Sequence, residues 1–362
     1  MVQKADGMSY APKGTVIEKV AKPGEFRFAA MSLDHGHIYG MCNGLLEAGG
    51  ELVAVYDPDP EKVTKFIAAY PQAKAVASAD EILNDASIHM VAAAAIPHLR
   101  GPLGCQVMEH GKDYFTDKSP FTTLEQLADA RRVVAATGRK YAVYYSERLH
   151  VESAMHAGDL IEQGAIGRPI QVIGLGPHRL SKDSRPEWFF DKAQYGGILC
   201  DIGSHQLEQF LYYTKNSDAT IQSAKVGNFN NSDRPGLEDF GDINVIGANG
   251  ATGYHRVDWF TPNGLRTWGD GRTIILGTEG YIELRKYLDV GVSGEGNWVI
   301  LANNEGEQRY NVAGKVGFPF FGRLIRDCLD GTEKAMTQAH AFKAAELCLI
   351  AQRDALVLQT GR

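Results

Sequence analysis

The stretch Phe28–Gly40, FAAMSLDHGHIYG, joins a short apolar run to a helix-like segment, Ile38–Glu47, that closes on Gly49-Gly50. The following run, ELVAVYD, has the apolar, β-branched composition of a strand, and EKVTKFIAAY reads as the next helix. A strand, a turn, a helix and a second strand in that order make a βαβ unit, because parallel strands require a crossover connection.

The same alternation continues along the chain. Ser78 and Glu81 form a capping box that opens ADEILND, and IHMVAAAAI reads as a strand buried on both faces. A helix from about His98 to His110 ends at Gly111, KDYFT is a strand, and Thr122 with Glu125 makes a second capping box before a helix that stops near Gly138. KYAVYY closes the series. Strands alternating with helices predict an α/β, doubly wound parallel sheet of the Rossmann type over residues 26–148.

After Arg148 the pattern changes. VESAMHAGDLIEQGAIG is helical, PIQVIGLG is a strand, and a helix begins at about Ile202. From Thr220 to about Asn311 the text is mostly strand, which predicts an α+β domain with a large, mostly antiparallel sheet over 149–362. Two helices, about Phe318–Leu329 and Ala341–Leu358, finish it. Residues 1–25, broken by Pro12, Gly14, Pro23 and Gly24, read as an arm with little core of its own, suited to docking on a neighbour.

Composition narrows the function. The 362 residues carry a net charge of -7 and are 44% hydrophobic, with no basic cluster that would neutralise nucleic-acid phosphates. No apolar run is long enough to span a bilayer, and the N-terminus lacks the apolar core of a secretory signal. Five scattered cysteines without a CxxC pair predict a reduced, cytoplasmic protein.

A Rossmann turn places glycines where backbone N–H groups approach a pyrophosphate at a helix N-terminus. Here the glycine positions hold Ser32, Asp34 and His37, with Leu33 between the first two. Ser32 is a mild change, whereas the Asp34 carboxylate must turn away from a phosphate. Asp57 ends the second strand about twenty positions after His37, where an acid binds the ribose 2′-hydroxyl and repels a 2′-phosphate. The expected cofactor is therefore NAD, with NADP disfavoured. Asp34, His35 and His37 could also offer metal ligands from one loop, but no partnering Cys/His/Glu cluster stands out and no metal is assigned.

Chemistry-bearing residues lie further on. Lys118, in YFTDKSPF, follows a buried strand at the sheet edge where open α/β folds bind ligands. In GGILCDIGSHQLEQ, Asp201 and His205 are four apart and share a helical face, with Gly196-Gly197 before them. A lysine, an aspartate and a histidine form a set suited to proton transfer, with histidine as acid/base near neutral pH.

On these residues the chain resembles the Gfo/Idh/MocA family, the glucose–fructose oxidoreductase and inositol dehydrogenase group, from about Phe26 to Arg362. DKSP stands where that family carries EKP, and Gly196, Gly197, Asp201, Gly203 and His205 match its GG…DxGxH motif. The segment AAIPHLR is similar to the family's ATPxxH, and LIRDCLDG near the end is also family-like. The glycine fingerprint is missing, and the proline that follows the family lysine is displaced to Pro120.

The resemblance implies hydride transfer between a nicotinamide and a hydroxyl or carbonyl carbon of a sugar, cyclitol or related polyol. It implies Ser32, Leu33, His37, Asp57, Ile96, Pro97, His98, Asp117 and Lys118 at the cofactor. It also implies Lys118, Asp201 and His205 as catalytic residues. His178, Arg179, Trp188 and Trp268 are candidates for the substrate pocket, and a homo-oligomer, dimer or tetramer, is expected. Two alternatives stay open: a lyase, glycosidase or epimerase that oxidises its substrate only transiently, and a non-catalytic sugar or dinucleotide sensor.

Overall fold

The computed structural model describes residues 7–359, which divide into two compact units. One comprises Met8–Tyr144 with Gly317–Ala341, and the other Tyr145–Val316 with the residues from Phe342 onward, together with Gly7. The arm of residues 1–25 is described only from Gly7.

In the first unit, β1 (Arg27–Met31), β2 (Glu51–Tyr56), β3 (Lys74–Ala75), β4 (Met90–Ala93), β5 (Asp113–Asp117) and β6 (Tyr141–Tyr144) form one parallel sheet. Its order, β3-β2-β1-β4-β5-β6, reverses direction between β1 and β4, the crevice where such sheets bind ligands. Helices α1 (His37–Glu47), α2 (Pro60–Ala69), α3 (Ala79–Leu83), α4 (Pro97–Glu109) and α5 (Leu124–Thr137) connect the strands. Every residue of β4 and β5 is buried, as expected for strands covered on both faces.

Local signals were read with small errors that have physical causes. β4 stops at Ala93 because Ala94 leaves the ladder: its N–H bonds to Ser32 O, and its carbonyl takes the N–H of His35. The capping box at α5 lies one residue later than predicted. Thr123 is the N-cap and accepts from Gln126 N, while the Gln126 side chain takes the N–H of Thr122. At α3 half of the box forms, with Glu81 accepting from Ala77 N and no cap bond from Ser78.

In the second unit, α6 (Ser146–Leu149) and α7 (Glu152–Glu162) precede β7 (Pro169–Pro177). Three more helices follow: α8 (Lys192–Tyr195), α9 (Ile198–Asp201) and α10 (Gly203–Thr214). The strands β8 (Ala219–Gly227), β9 (Phe240–Gly247), β10 (Thr252–Asp258), β11 (Arg272–Gly277), β12 (Gly280–Arg285), β13 (Trp298–Asn303) and β14 (Gly306–Asn311) complete most of a nine-stranded sheet. All its pairings are antiparallel except two, β7 with β10 and β8 with a short edge strand. Along the strands buried residues such as Val172, Ile275 and Ile282 alternate with outward ones. Gly174 and Gly176 on β7 are required because a Cβ at either would meet the Gln206 side chain of α10.

The last part of the chain is shared between the units. Helix α11 (Pro319–Asp330) belongs to the first, where Phe321 occupies the space that a Cβ on Gly44 of α1 would need. Helix α12 (Gln338–Asp354) ends four residues before the predicted Leu358, because Leu356–Val357 instead pair in parallel with β8 as β15. The described part of the arm packs along α1 of its own unit. Asn43 Nδ2 donates to Pro12 O at 3.3 Å, and Gly14 N donates to the Glu47 carboxylate at 3.0 Å. All five cysteines are free, and among the described residues no helix is long and apolar enough to cross a membrane.

Gly44→Ala tests the seating of α11. The helix-propensity gain of about 1 kcal/mol is opposed by overpacking against Phe321, which costs about 1–3 kcal/mol. The expected result is a lower urea midpoint at unchanged m-value.

Candidate cofactor turn and acid–base cluster

The turn after β1 keeps the backbone course of a glycine-rich loop without the glycine. Ser32 takes a φ of 53°, in the left-handed region, and its N–H bonds to Tyr56 O at 3.2 Å. Asp57 closes the base of the turn, its carboxylate accepting from Leu33 N at 2.6 Å and from Asp59 N at 2.9 Å. Asp34 is turned aside as electrostatics requires: it pairs with Lys62 Nζ at 2.5 Å and accepts from Ile96 N at 3.3 Å. Lys62 Nζ also lies 3.8 Å from Asp57. Burial works against the Lys62 charge, but Asp34, Asp57 and Asp59 hold its pKa up. The carboxylates beside the turn therefore carry a local counter-charge.

His35 and His37 converge on Asp117 at the end of β5, at 3.3 and 2.8 Å. The sequence suggested Asp34 as the companion of these histidines. The fold sends Asp34 to Lys62 and brings Asp117 instead, with the three ligand-type atoms within 4.8 Å of one another. Asp117 has further partners, Arg100 Nη2 at 3.2 Å and Lys118 N at 2.8 Å. Burial alone would raise the Asp117 pKa, but His37, Arg100 and His35 hold it far below the usual carboxylate range. Burial and the adjacent cations keep His35 neutral. A guanidinium bound to the same carboxylate makes this an ion-pair hub rather than a ready cation site.

Arg100 extends that hub. Its Nε donates to Ala95 O at 2.6 Å, and its Nη1 donates to the carbonyls of Lys118 and Ser119. The Lys118–Ser119 peptide is cis although no proline follows the lysine. Lys118 itself is buried. Ile96 and Pro97 form the N-cap and first turn of α4, and His98 is half-buried there with its Nδ1 lacking a partner.

In the second unit, Asp201 ends α9 and His205 lies in α10, which the helical Ile202 separates. Both side chains are buried. Gly196 and Gly197 take φ values of 88° and 90°, and Gln352 of α12 fills the space beside Gly197 and accepts from Leu199 N at 3.0 Å. The electrostatic centre is Glu147 of α6. Its Oε2 accepts from Gln206 at 3.0 Å and lies 3.2 Å from Lys286 Nζ, which also donates to Gln209 Oε1 at 2.7 Å. Its Oε1 lies 3.7 Å from His178 Nε2 and has no hydrogen-bond partner.

Burial would raise the Glu147 pKa, but Lys286, His205 and His178 lower it from 4.5 to about 2. His178 Nδ1 is 3.2 Å from Gly176 O, so that nitrogen carries the proton and Nε2 faces the carboxylate. Next to this cluster Arg148 binds Glu208 through Nε and Nη2 and stacks 3.8 Å over Tyr212.

Residues 30–146 match the family described as oxidoreductase, NAD-binding Rossmann fold, and residues 155–283 match the GFO/IDH/MocA C-terminal domain. A crystal structure from Erwinia carotovora atroseptica, described only as an oxidoreductase, is 52% identical, with a TM-score of 0.90 over 92% of this chain and all of that one. The chain belongs to the Gfo/Idh/MocA family. Within it, scyllo-inositol 2-dehydrogenase (NAD(+)) of Bacillus subtilis is 26% identical over 65% of this chain and 66% of its own length. D-xylose dehydrogenase of Paenarthrobacter nicotinovorans is 26% identical over 35% of this chain and 34% of its own length. Levoglucosan dehydrogenase, solved with NADH and levoglucosan, shares the fold at a TM-score of 0.74 and 18% identity, over 89% of this chain and 95% of that one.

The first unit is thus an NAD-binding domain of this family, and its residues fit that cofactor. Ser32 preserves the turn, Asp57 follows β2 directly and closes the base of the turn, and the potentially repulsive Asp34 is paired with Lys62. The expected pocket residues separate. His178 is gripped by Trp268, with ring centroids 4.5 Å apart, and Trp268 in turn stacks on Tyr287 at 4.4 Å. Arg179 turns to the loop carbonyls of Leu265 and Thr267, and Trp188 packs on Phe189. Glu147, Lys286, Arg100 and Lys62 were not singled out from sequence. An acid straight after the last parallel strand and a lysine ending an apolar strand were the available signals for the first two.

Two outcomes test this geometry. Lys62→Met leaves Asp34 and Asp57 without their cation, so the NAD dissociation constant should rise about tenfold by titration calorimetry; unchanged affinity would refute the assigned role. The depressed Glu147 pKa contributes stability above the unfolded value of 4.5 that disappears as pH falls toward 2. Acid unfolding followed by circular dichroism should therefore flatten over that window in Glu147→Gln/Lys286→Met, whereas Glu147→Gln alone should cost about 3–5 kcal/mol because it strands a buried ammonium.

Proposed function

We propose that the protein is an NAD-dependent dehydrogenase or reductase acting on the CH–OH or carbonyl carbon of a sugar, cyclitol or related polyol. The observation that carries this reading is the buried His205, whose surroundings include a carboxylate held ionised by a buried lysine. Such surroundings favour a histidine that gains a proton as a neutral alcohol is consumed.

In the oxidation direction His205 takes the hydroxyl proton while the carbon loses hydrogen with its electron pair, leaving a carbonyl. Bound NAD supplies the acceptor for that hydride. Lys118 stabilises the negative charge developing on the substrate oxygen, and Asp201 orients the reacting hydroxyl. Ser32, Leu33, His37, Asp57, Ile96, Pro97, His98 and Asp117 bind or shape the dinucleotide site. His178, positioned by Trp268, faces the substrate together with Glu147. No metal has a role in this reading. The inositol and xylose dehydrogenases among the relatives favour a carbohydrate-like substrate, and the acidic residue at Asp57 favours NAD over NADP.

A second copy of the chain is the proposed partner. One face of the nine-stranded sheet carries a cross-strand row of Ile246, Thr252, Gln171, Leu276 and Tyr281, with Ile246, Leu276 and Tyr281 about 40% exposed. Tyr254, Ile173 and Ile274 lie in the adjacent row. A self-complementary apolar sheet face of this kind suits an isologous dimer.

The direct experiment incubates the enzyme with NAD and a panel of sugars and cyclitols and follows nicotinamide reduction. His205→Ala should lower kcat by about a hundredfold or more while nucleotide released on denaturation stays unchanged. Turnover of an identified substrate that survives His205→Ala would defeat the assignment, and turnover without net NADH would establish transient oxidation instead. Leu276→Arg/Tyr281→Glu should convert the assembly to monomers in light scattering.

A further inference from the structure

The position of Asp201 is set by a helix that has no stability of its own. Helix α9, Ile198–Asp201, is a single turn, too short to persist in water without outside support. Its N-cap is Gly197, which takes a φ of 90° and has no side chain to bond the first amides. Two side chains from remote parts of the second unit do so instead. Glu238 Oε2 accepts from Ile198 N, and Gln352 Oε1 of α12 accepts from Leu199 N, both at 3.0 Å.

The two caps are joined to each other. Gln352 Nε2 donates to both oxygens of Glu238 at 3.0 Å, and Lys192 Nζ of α8 donates to Oε1 at 2.5 Å. Glu238 N donates at 3.0 Å to the hydroxyl of the buried Tyr195, which stands directly before the glycine pair. Gln352 also decides what can follow Gly196. A Cβ on Gly197 would lie 2.2 Å from the Gln352 Cδ, so the second glycine is the residue that admits the amide.

From the capped amides the path to Asp201 is short. Asp201 N donates to Gly197 O at 2.9 Å, and Ser204 Oγ of α10 donates to Asp201 O at 2.9 Å. Ile198 and Asp201 are separated by about 4.5 Å of helix rise, so a shift at the caps reaches the carboxylate undiminished. An amide at 352 offers an acceptor to Leu199 N and a donor to Glu238 at once, which a carboxylate cannot.

We propose that Gln352, together with Glu238, is a positioning residue of the active site: the pair holds α9 by its first two amides and thereby aims the Asp201 carboxylate. The inference rests on the dehydrogenase reading, in which Asp201 orients the reacting hydroxyl. Both residues act through Asp201 rather than on the substrate.

A cycle of variants in the full chain tests it, read with the sugar or cyclitol that reduces NAD fastest. Gln352→Glu sets two carboxylates against each other and should lower kcat at least about tenfold while NAD affinity stays unchanged. The exchange Glu238→Gln/Gln352→Glu restores one amide and one carboxylate, and should return kcat to within about twofold of wild type. In an Asp201→Asn background Gln352→Glu should cost nothing further, because a group that acts through Asp201 has no effect once that carboxylate is gone. Hydrogen exchange over residues 197–202, which needs no substrate, should run about tenfold faster in Gln352→Glu and recover in the exchanged pair. Unchanged hydrogen exchange, a loss that the exchanged pair does not reverse, or a loss that adds in full to that of Asp201→Asn would overturn the proposal. Full turnover by Asp201→Asn would instead remove Asp201 from the dehydrogenase reading, and this inference with it.

Discussion

The carboxylate of Asp117 is the constraint around which the nucleotide unit is arranged. Ionised but without a counter-charge at the end of a wholly buried strand, it would be among the least favourable groups in the protein. Two histidines from the turn after β1, a guanidinium from α4 and the next backbone N–H hold it ionised. The same contacts tie three separate loops at the C-terminal edge of the sheet. The loop after β1, the start of α4 and the segment carrying Lys118 cannot shift independently, because each surrenders a bond to one carboxylate when it moves. Arg100 adds a second restraint by holding the carbonyls on either side of the Lys118–Ser119 bond.

The altered turn becomes intelligible in this setting. Glycines in a dinucleotide turn serve a backbone course and a close approach, and this chain obtains the first with a serine in the left-handed region. Leu33 N and His35 N, however, are bonded within the turn, to Asp57 and to Ala94 O. Fewer backbone donors remain free than a glycine loop would offer, and Lys62 offsets part of the negative charge of Asp34 and Asp57 at the edge of the same turn.

Periodicity and punctuation made the architecture legible. Continuous apolar runs separated by helices dictated the parallel sheet, and long alternating segments dictated the antiparallel one. The motif residues Lys118, Asp201 and His205 were legible because their neighbours, glycines and a preceding buried strand, are sequence-local. What could not be read was charge pairing across long separations. Glu147 meets Lys286 from the far end of the sheet domain, and Lys62 meets Asp34 from a different helix. Each looks like a surface charge in isolation, and for Glu147 and Lys286 only burial shows that it has nowhere else to be neutralised. The one-residue error at the α5 capping box has the opposite origin: two adjacent threonines compete for one N-cap, and Thr123 takes it.

The interleaving of the units bears on how relatives of this chain can be recombined. The nucleotide unit is not finished at Tyr144, because it acquires α11 and the residues up to Ala341 only after the sheet unit has been threaded. A genetic fusion that exchanges everything after residue 148 would therefore import a foreign α11, and Phe321 would have to match a Gly44 it did not evolve beside. Exchange of substrate domains in this architecture calls for three junctions, near Tyr145, Val316 and Phe342, because the chain beyond α11 returns to the sheet unit, and single-crossover chimaeras inherit a mismatched helix pair at α1.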